Sequence, residues 1–256
     1  VLFAWDDTDE AWNRLHYVDA EFAPVLDAML AIVDAPESEQ PAMRLALAER
    51  LQDDANPKLR RIALEEFDAA SSADLREIEL RLDPETIRAP MTQITEAPWR
   101  PIRILLLGLT GQDAARSVIE AGLARTAASP RDLETGAWAT AAMEINGSDG
   151  VASVAEAILH NASQPLDKIE ETVAAMAVIA GSGDPALHPA IAEALGTAVA
   201  LRPEVAGAVA RQFYDRGDWS QAITIADAVD ASALRNPADI MAVAAYLDAA
   251  RTALGQ

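Results

Sequence analysis

The sequence predicts an all-α chain folded as a right-handed α-solenoid of about six antiparallel helix hairpins. Three observations carry that prediction. Apolar residues recur at helical spacing, as in Val151, Val154, Ala155, Ile158 and Leu159, or Ile240, Val243, Ala244 and Leu247. Helix starts are punctuated by a capping residue followed by proline: Asn56-Pro57, Ser129-Pro130, Asp184-Pro185 and Asn236-Pro237, with Gln164-Pro165 as a weaker case. Helix stops are marked by Gly111, Asn146-Gly147, Gly181-Ser182-Gly183 and Gly217.

Taken in order, helices are expected over 20–45 with a break near Pro36, then 57–71, 72–82, 98–110, 112–127, 130–146, 149–162, 165–180, 185–200, 203–216, 219–231 and 237–254. The short loops between them make neighbouring helices antiparallel. Alanine enrichment suits a stacked array, because small side chains let helices approach closely. Residues 83–101 interrupt the series with Pro84, Pro90, Pro98 and Pro101. Such a stretch cannot be one helix. It reads as a structured junction anchored by Ile87, Met91, Ile94 and Trp99, between an N-terminal part (1–82) and a C-terminal array (102–256), the whole expected as one continuous domain. The run Ile102–Leu109 looks superficially like a strand entering a phosphate loop. No Gly-Lys-Ser/Thr or Gly-x-Gly-x-x-Gly follows, and leucine outnumbers β-branched residues, so a helix is expected, with Gly108 at a close contact and Gly111 at its end.

The 256 residues carry a formal charge of -21 and no cysteine. A polyanion of this strength repels phosphate backbones, which argues against nucleic acid as a partner. The absence of cysteine excludes disulfides, zinc–thiolate sites and thiol nucleophiles. The charge is uneven. Residues 1–43 hold a net -9, residues 44–103 a net -2, and residues 104–256 a net -10. The acidic regions are suited to a basic partner, or serve solubility alone.

Residues 45–71 resemble a HEAT repeat. Leu45-Ala46-Leu47-Ala48-Glu49-Arg50-Leu51 supplies a leucine-rich first helix, Asp53-Asp54-Ala55-Asn56-Pro57 the turn, and Lys58-Leu59-Arg60-Arg61-Ile62-Ala63-Leu64 the second helix. The resemblance implies that the turn acid and Arg60 tie adjacent repeats together. Residues 207–231 resemble a tetratricopeptide repeat through Ala210, Phe213, Gly217, Asp218, Trp219, Ala222 and Val229. Both resemblances imply an array that binds proteins or peptides along a concave face.

Candidate chemistry is sparse. Glu156 and His160 stand i, i+4 on one expected helix, and Asp184 and His188 repeat the spacing on another. Together they are a candidate metal site and the basis of an alternative reading, a metal-dependent hydrolase. The competing explanation makes His160 a helix-end residue and Asp184 an N-cap. No Gly-x-Ser-x-Gly elbow or HExxH motif is present. Among the few aromatics, Trp138, Tyr214 and Trp219 are the candidates to line a peptide groove, the alternative being inter-helix packing. No resident cofactor is expected. No apolar run is long enough to span a bilayer. The start, Val1-Leu2-Phe3-Ala4-Trp5 followed by acids, reads as the stub of a removed signal or anchor, which places the chain outside the cytoplasm (periplasmic), with a cytoplasmic protein as the alternative. The functional expectation is a non-catalytic scaffold for a protein or peptide partner.

Overall fold

In this computed structural model residues 2–6, 8, 10–16, 18–129, 134–230, 234 and 236–255 are described, with the backbone alone for 2–6, 12–16 and 230. The chain divides into two units, Val1–Arg81 and Leu82–Gln256. Helices dominate both.

The first unit opens with a hairpin. Strands β1 (Leu2–Asp6) and β2 (Ala11–His16) pair antiparallel, with Trp5 opposite Trp12. The all-helical expectation omitted this ladder. Its aromatic, alternating character suits a pleated strand, but the segments are short and carry little periodicity. Helix α1 (Ala23–Asp34) ends before Pro36, and α2 (Gln40–Leu51) starts beyond it. Helix α3 (Pro57–Ala69) is capped by Asn56, whose side chain accepts from the Lys58 N–H at 3.0 Å. Leu47, Leu51, Leu59, Ala63, Leu64 and Phe67 form the buried seam of this unit.

Helix α4 (Ser72–Glu77) stops earlier than the expected 72–82 span. The chain beyond it runs extended and is laced to the end of α2. The buried Gln52 amide donates to the Glu79 carbonyl at 2.9 Å and accepts from the Arg81 N–H at 2.9 Å. Arg81 forms a fork to Asp53 at 3.1 and 3.0 Å. These bonds replace the helical ones that residues 78–81 would otherwise make. Arg60 plays a smaller part than the HEAT resemblance implied. It reaches back to the Asp54 and Ala55 carbonyls at 2.6 and 3.0 Å, closing its own turn. Its place at the start of α3 puts those carbonyls within reach of its side chain. Arg81 ties the chain after α4 to the end of α2, and Arg44 ties α2 to α3 through Glu66.

In the second unit the proline-rich stretch becomes α5 (Pro84–Arg88) and two 3-10 turns, Ala89–Thr92 and Ile94–Trp99. Asp83 caps α5, accepting from the Glu85 and Thr86 N–H groups at 3.0 Å each. Next come α6 (Arg100–Leu109), α7 (Asp113–Ala128) and α8 (Thr135–Val154). The expected start of α8 at Pro130 lies outside the described residues. Helix α6 has Ile104, Leu106 and Leu107 fully buried. At Gly108 a Cβ would stand 2.8 Å from the Ala141 Cα of α8, so only glycine permits this crossing. Gly147 (φ 56, ψ -130) breaks α8 into two segments, and the chain turns sharply enough that a Cβ on Gly150 would meet the Ala142 carbonyl at 2.1 Å.

A π turn (Ala155–Leu159) follows, then α9 (Leu166–Ser182), α10 (His188–Leu201), α11 (Ala206–Tyr214), α12 (Ala222–Asp230) and α13 (Pro237–Leu254). Single 3-10 turns, Pro185–Leu187 and Pro203–Val205, lead into α10 and α11. Helices pack on their sequence neighbours and on alternate helices: α6 on α8, α8 on α10, α10 on α12, α9 on α11, and α11 on α13.

Polar ties join the loops. Buried Lys168 donates to the Thr126 and Ser129 carbonyls at the end of α7. The Gln164 amide donates to the Ala127 carbonyl at 2.7 Å, and Arg202 donates to the Gln164 carbonyl at 2.8 Å. On α11, Arg211 pairs with Asp239 of α13 at 2.5 Å and with Glu170 of α9 at 3.5 Å. Among the described residues no helix is long and apolar enough to cross a membrane.

Candidate functional site

Side chains at 117, 118, 121 and 125 fall along one face of α7, by the three- and four-residue spacing of a helix. With the end of α5, the 3-10 turn Ala89–Thr92, the start of α6 and the start of α8, they enclose a cleft of about 640 Å³. Its charged lining is Arg88, Arg100, Arg125 and Glu134, and its floor is Trp138. Trp138 belongs to the buried stripe of α8 and is 2% exposed. It fits there because α7 offers glycine opposite. A Cβ on Gly122 would stand 2.3 Å from the Trp138 Cε3.

The cations are held in three ways. Arg88 pairs with Glu85 on its own helix, the closest contact at 2.7 Å. Arg100 donates from Nε to the Met91 carbonyl at 2.9 Å and from Nη1 to Glu134 Oε1 at 3.3 Å. Arg125 lies over the Trp138 ring, 5.6 Å from its centroid. The Trp138 Nε1 is buried and has no hydrogen-bond partner among the described residues. A smaller cavity of about 440 Å³ sits in the first unit, near Pro41, Leu45 and Ala70, beside the Arg44–Glu66 pair at 3.1 Å.

Tyr214 and Trp219 come together at the end of α11, edge to face at 6.0 Å, and Trp219 also packs on Tyr246 of α13 at 5.4 Å. Tyr214 is 45% exposed and Trp219 half-buried, so this pair presents aromatic surface. Trp138 contacts a different set, Gly122 and Arg125. The Tyr246 hydroxyl donates to the Asp218 carbonyl at 2.8 Å and accepts from the Gln221 N–H at 3.2 Å. Burial pushes its pKa up to about 12.

Two of the four metal candidates are placed by structural bonds. His160 Nε2 lies 3.1 Å from the Ala194 carbonyl of α10, which fixes the proton on that nitrogen. Asp184 accepts from the Ala186 N–H at 2.9 Å as the cap of its 3-10 turn. Glu156 and His188 are exposed. Among the described residues no group of three or more His, Asp or Glu is gathered to hold a metal. The sequence reading missed Arg100 and Arg125. Each shares its helix with a second arginine, Arg103 on α6 and Arg116 on α7, and none of the four stands in a motif; only the approach of α7 to α8 at Gly122 joins Arg125 to Trp138.

Comparison of the chain with protein-family models, with curated proteins and with solved structures gave no match.

Proposed function

We propose that the chain is a right-handed α-solenoid of HEAT-like and tetratricopeptide-like hairpins that serves as a non-catalytic scaffold for a protein or peptide partner. Packing of alternate helices, α8 on α10 on α12 and α9 on α11 on α13, supports the array reading. The observation that carries the binding role is the apolar exposure of the last two helices. Ile223 is 80% exposed, Met241 73%, Leu254 58% and Ile240 47%. Terminal helices of repeat arrays are normally polar on their outer faces, and concentrated apolar exposure marks an interaction surface. The net -10 of residues 104–256 favours a basic partner.

The test is crosslinked affinity capture with the wild-type chain and with an Ile223→Glu/Met241→Glu variant. Both positions are exposed, so the variant should keep its circular dichroism spectrum. A partner recovered by the wild type and lost by the variant supports the scaffold role. Identical recoveries, or no partner at all, overturn it.

A further inference from the structure

The cleft between α7 and α8 differs in character from the rest of this acidic chain. We propose that it is a site for a small organic carboxylate with an apolar body, a ligand class separate from any protein partner. Charge is the first observation. Three guanidinium groups and one carboxylate line the cleft. Glu85 is paired with Arg88, and Glu134 with Arg100. Arg125 has no carboxylate partner among the described residues. Among the described residues one positive charge is therefore left over, which a monoanion balances and a phosphate dianion exceeds.

Orientation is the second. The Arg125 guanidinium lies over the Trp138 ring in a cation–π contact, and the side chain is exposed, with no hydrogen bond from its fork of N–H donors among the described residues. That fork matches the two oxygens of a carboxylate. The indole Nε1 of the same ring is buried, a donor with no partner among the described residues. Buried donors are rarely left unsatisfied, and a bound group is one way to satisfy such a donor.

Shape is the third. Met91, Val118 and Ala121 supply an apolar wall, and the volume of about 640 Å³ is that of a small-molecule site.

The test uses the full ¹⁵N-labelled chain and the indole N–H signals of its five tryptophans. Trp138→Phe assigns the Trp138 signal. Should that variant fail to fold, Arg125→Gln assigns it instead, because it alters an exposed side chain and removes the cation from the ring. The probes are N-acetyl-leucine and N-acetyl-phenylalanine, their neutral amides, and inorganic phosphate, at low salt. The expected result is a saturable shift of the Trp138 signal with the acids, none with the amides, and affinity weakened about tenfold or more by Arg125→Gln, the scale of one lost charge-assisted fork. No shift with either acid overturns the proposal. So does an equal shift with the amides, an unchanged affinity in Arg125→Gln, or tighter binding of phosphate than of the acids.

Discussion

Replacing Gly122 with alanine isolates the contact on which the cleft is built. In the interior of a helix this change normally stabilises, by about 1 kcal/mol, because glycine is the more flexible residue in the unfolded chain. Here the added Cβ would stand 2.3, 2.4 and 2.6 Å from three atoms of the Trp138 ring. The ring is 2% exposed and cannot swing outward without opening the seam between α7 and α8. Overpacking of this kind costs about 1–3 kcal/mol, and three simultaneous clashes put it at the upper end. The net expectation is a loss of about 2 kcal/mol, or about 4–8 °C in midpoint for a unit of this size.

Gly196 of α10 is the matched control. A Cβ there would meet Thr224 at 3.8 Å, an ordinary contact, so Gly196→Ala should gain up to about 1 kcal/mol. Urea unfolding followed by circular dichroism measures both. Equal stabilities for the two variants, or a stabilised Gly122→Ala with unchanged tryptophan fluorescence, would refute the packing argument.

Three further outcomes are expected. Arg211→Ala removes the partner of Asp239, whose side chain is 11% exposed, and should cost about 1–3 kcal/mol, discounted because Arg211 itself is 40% exposed; adding Asp239→Ala should restore part of the loss in a double-mutant cycle. Tyr246 has a folded pKa near 12, above its ordinary value of 10.0, so the unfolded chain releases the proton first; its stabilising contribution is whole below pH 10 and is lost as pH rises through about 12. Absorbance titration should find a tyrosinate forming near pH 12 that is missing from Tyr246→Phe, and the same variant should flatten the fall in stability over that window. Asp53→Asn breaks the fork to Arg81, which holds the Asp53 carboxyl below the usual carboxylate range, so proteolysis should cut first within residues 78–83 in that variant.

Helix positions were readable in the sequence because their signals are local. Asn56, Asp184 and Asn236 each cap through their own side chain within two residues, and Gly111 and Gly217 adopt the positive φ that ends a helix, whereas the short α5 behind Asp83 was hidden among the prolines of 83–101. The start of α4 was equally local, through Ser71, but its end was not. Residues 78–81 leave the helix because Gln52, far back in the chain, satisfies their backbone. The hairpin at 2–16 was missed because two short strands carry little periodicity. Trp138 stood out as an aromatic, but its cleft did not. Arg125 and Trp138 meet only through glycine at 122, and nothing in the spacing of those residues announces that two helices cross there.

The pairing of Arg211 with both Glu170 and Asp239 has a consequence for how this end of the molecule comes apart. One side chain on α11 clasps α9 on one side and α13 on the other. A Cβ on Gly207 of the same helix would strike the Asp239 carboxylate at 2.3 Å, so α11 and α13 are in direct contact beneath the clasp. Peeling α13 away therefore strips a buried carboxylate of its counter-charge and loosens α11 from α9 in the same act. Amide exchange in α9, α11 and α13 should then share one opening free energy, a single cooperative block rather than a terminus that unravels helix by helix.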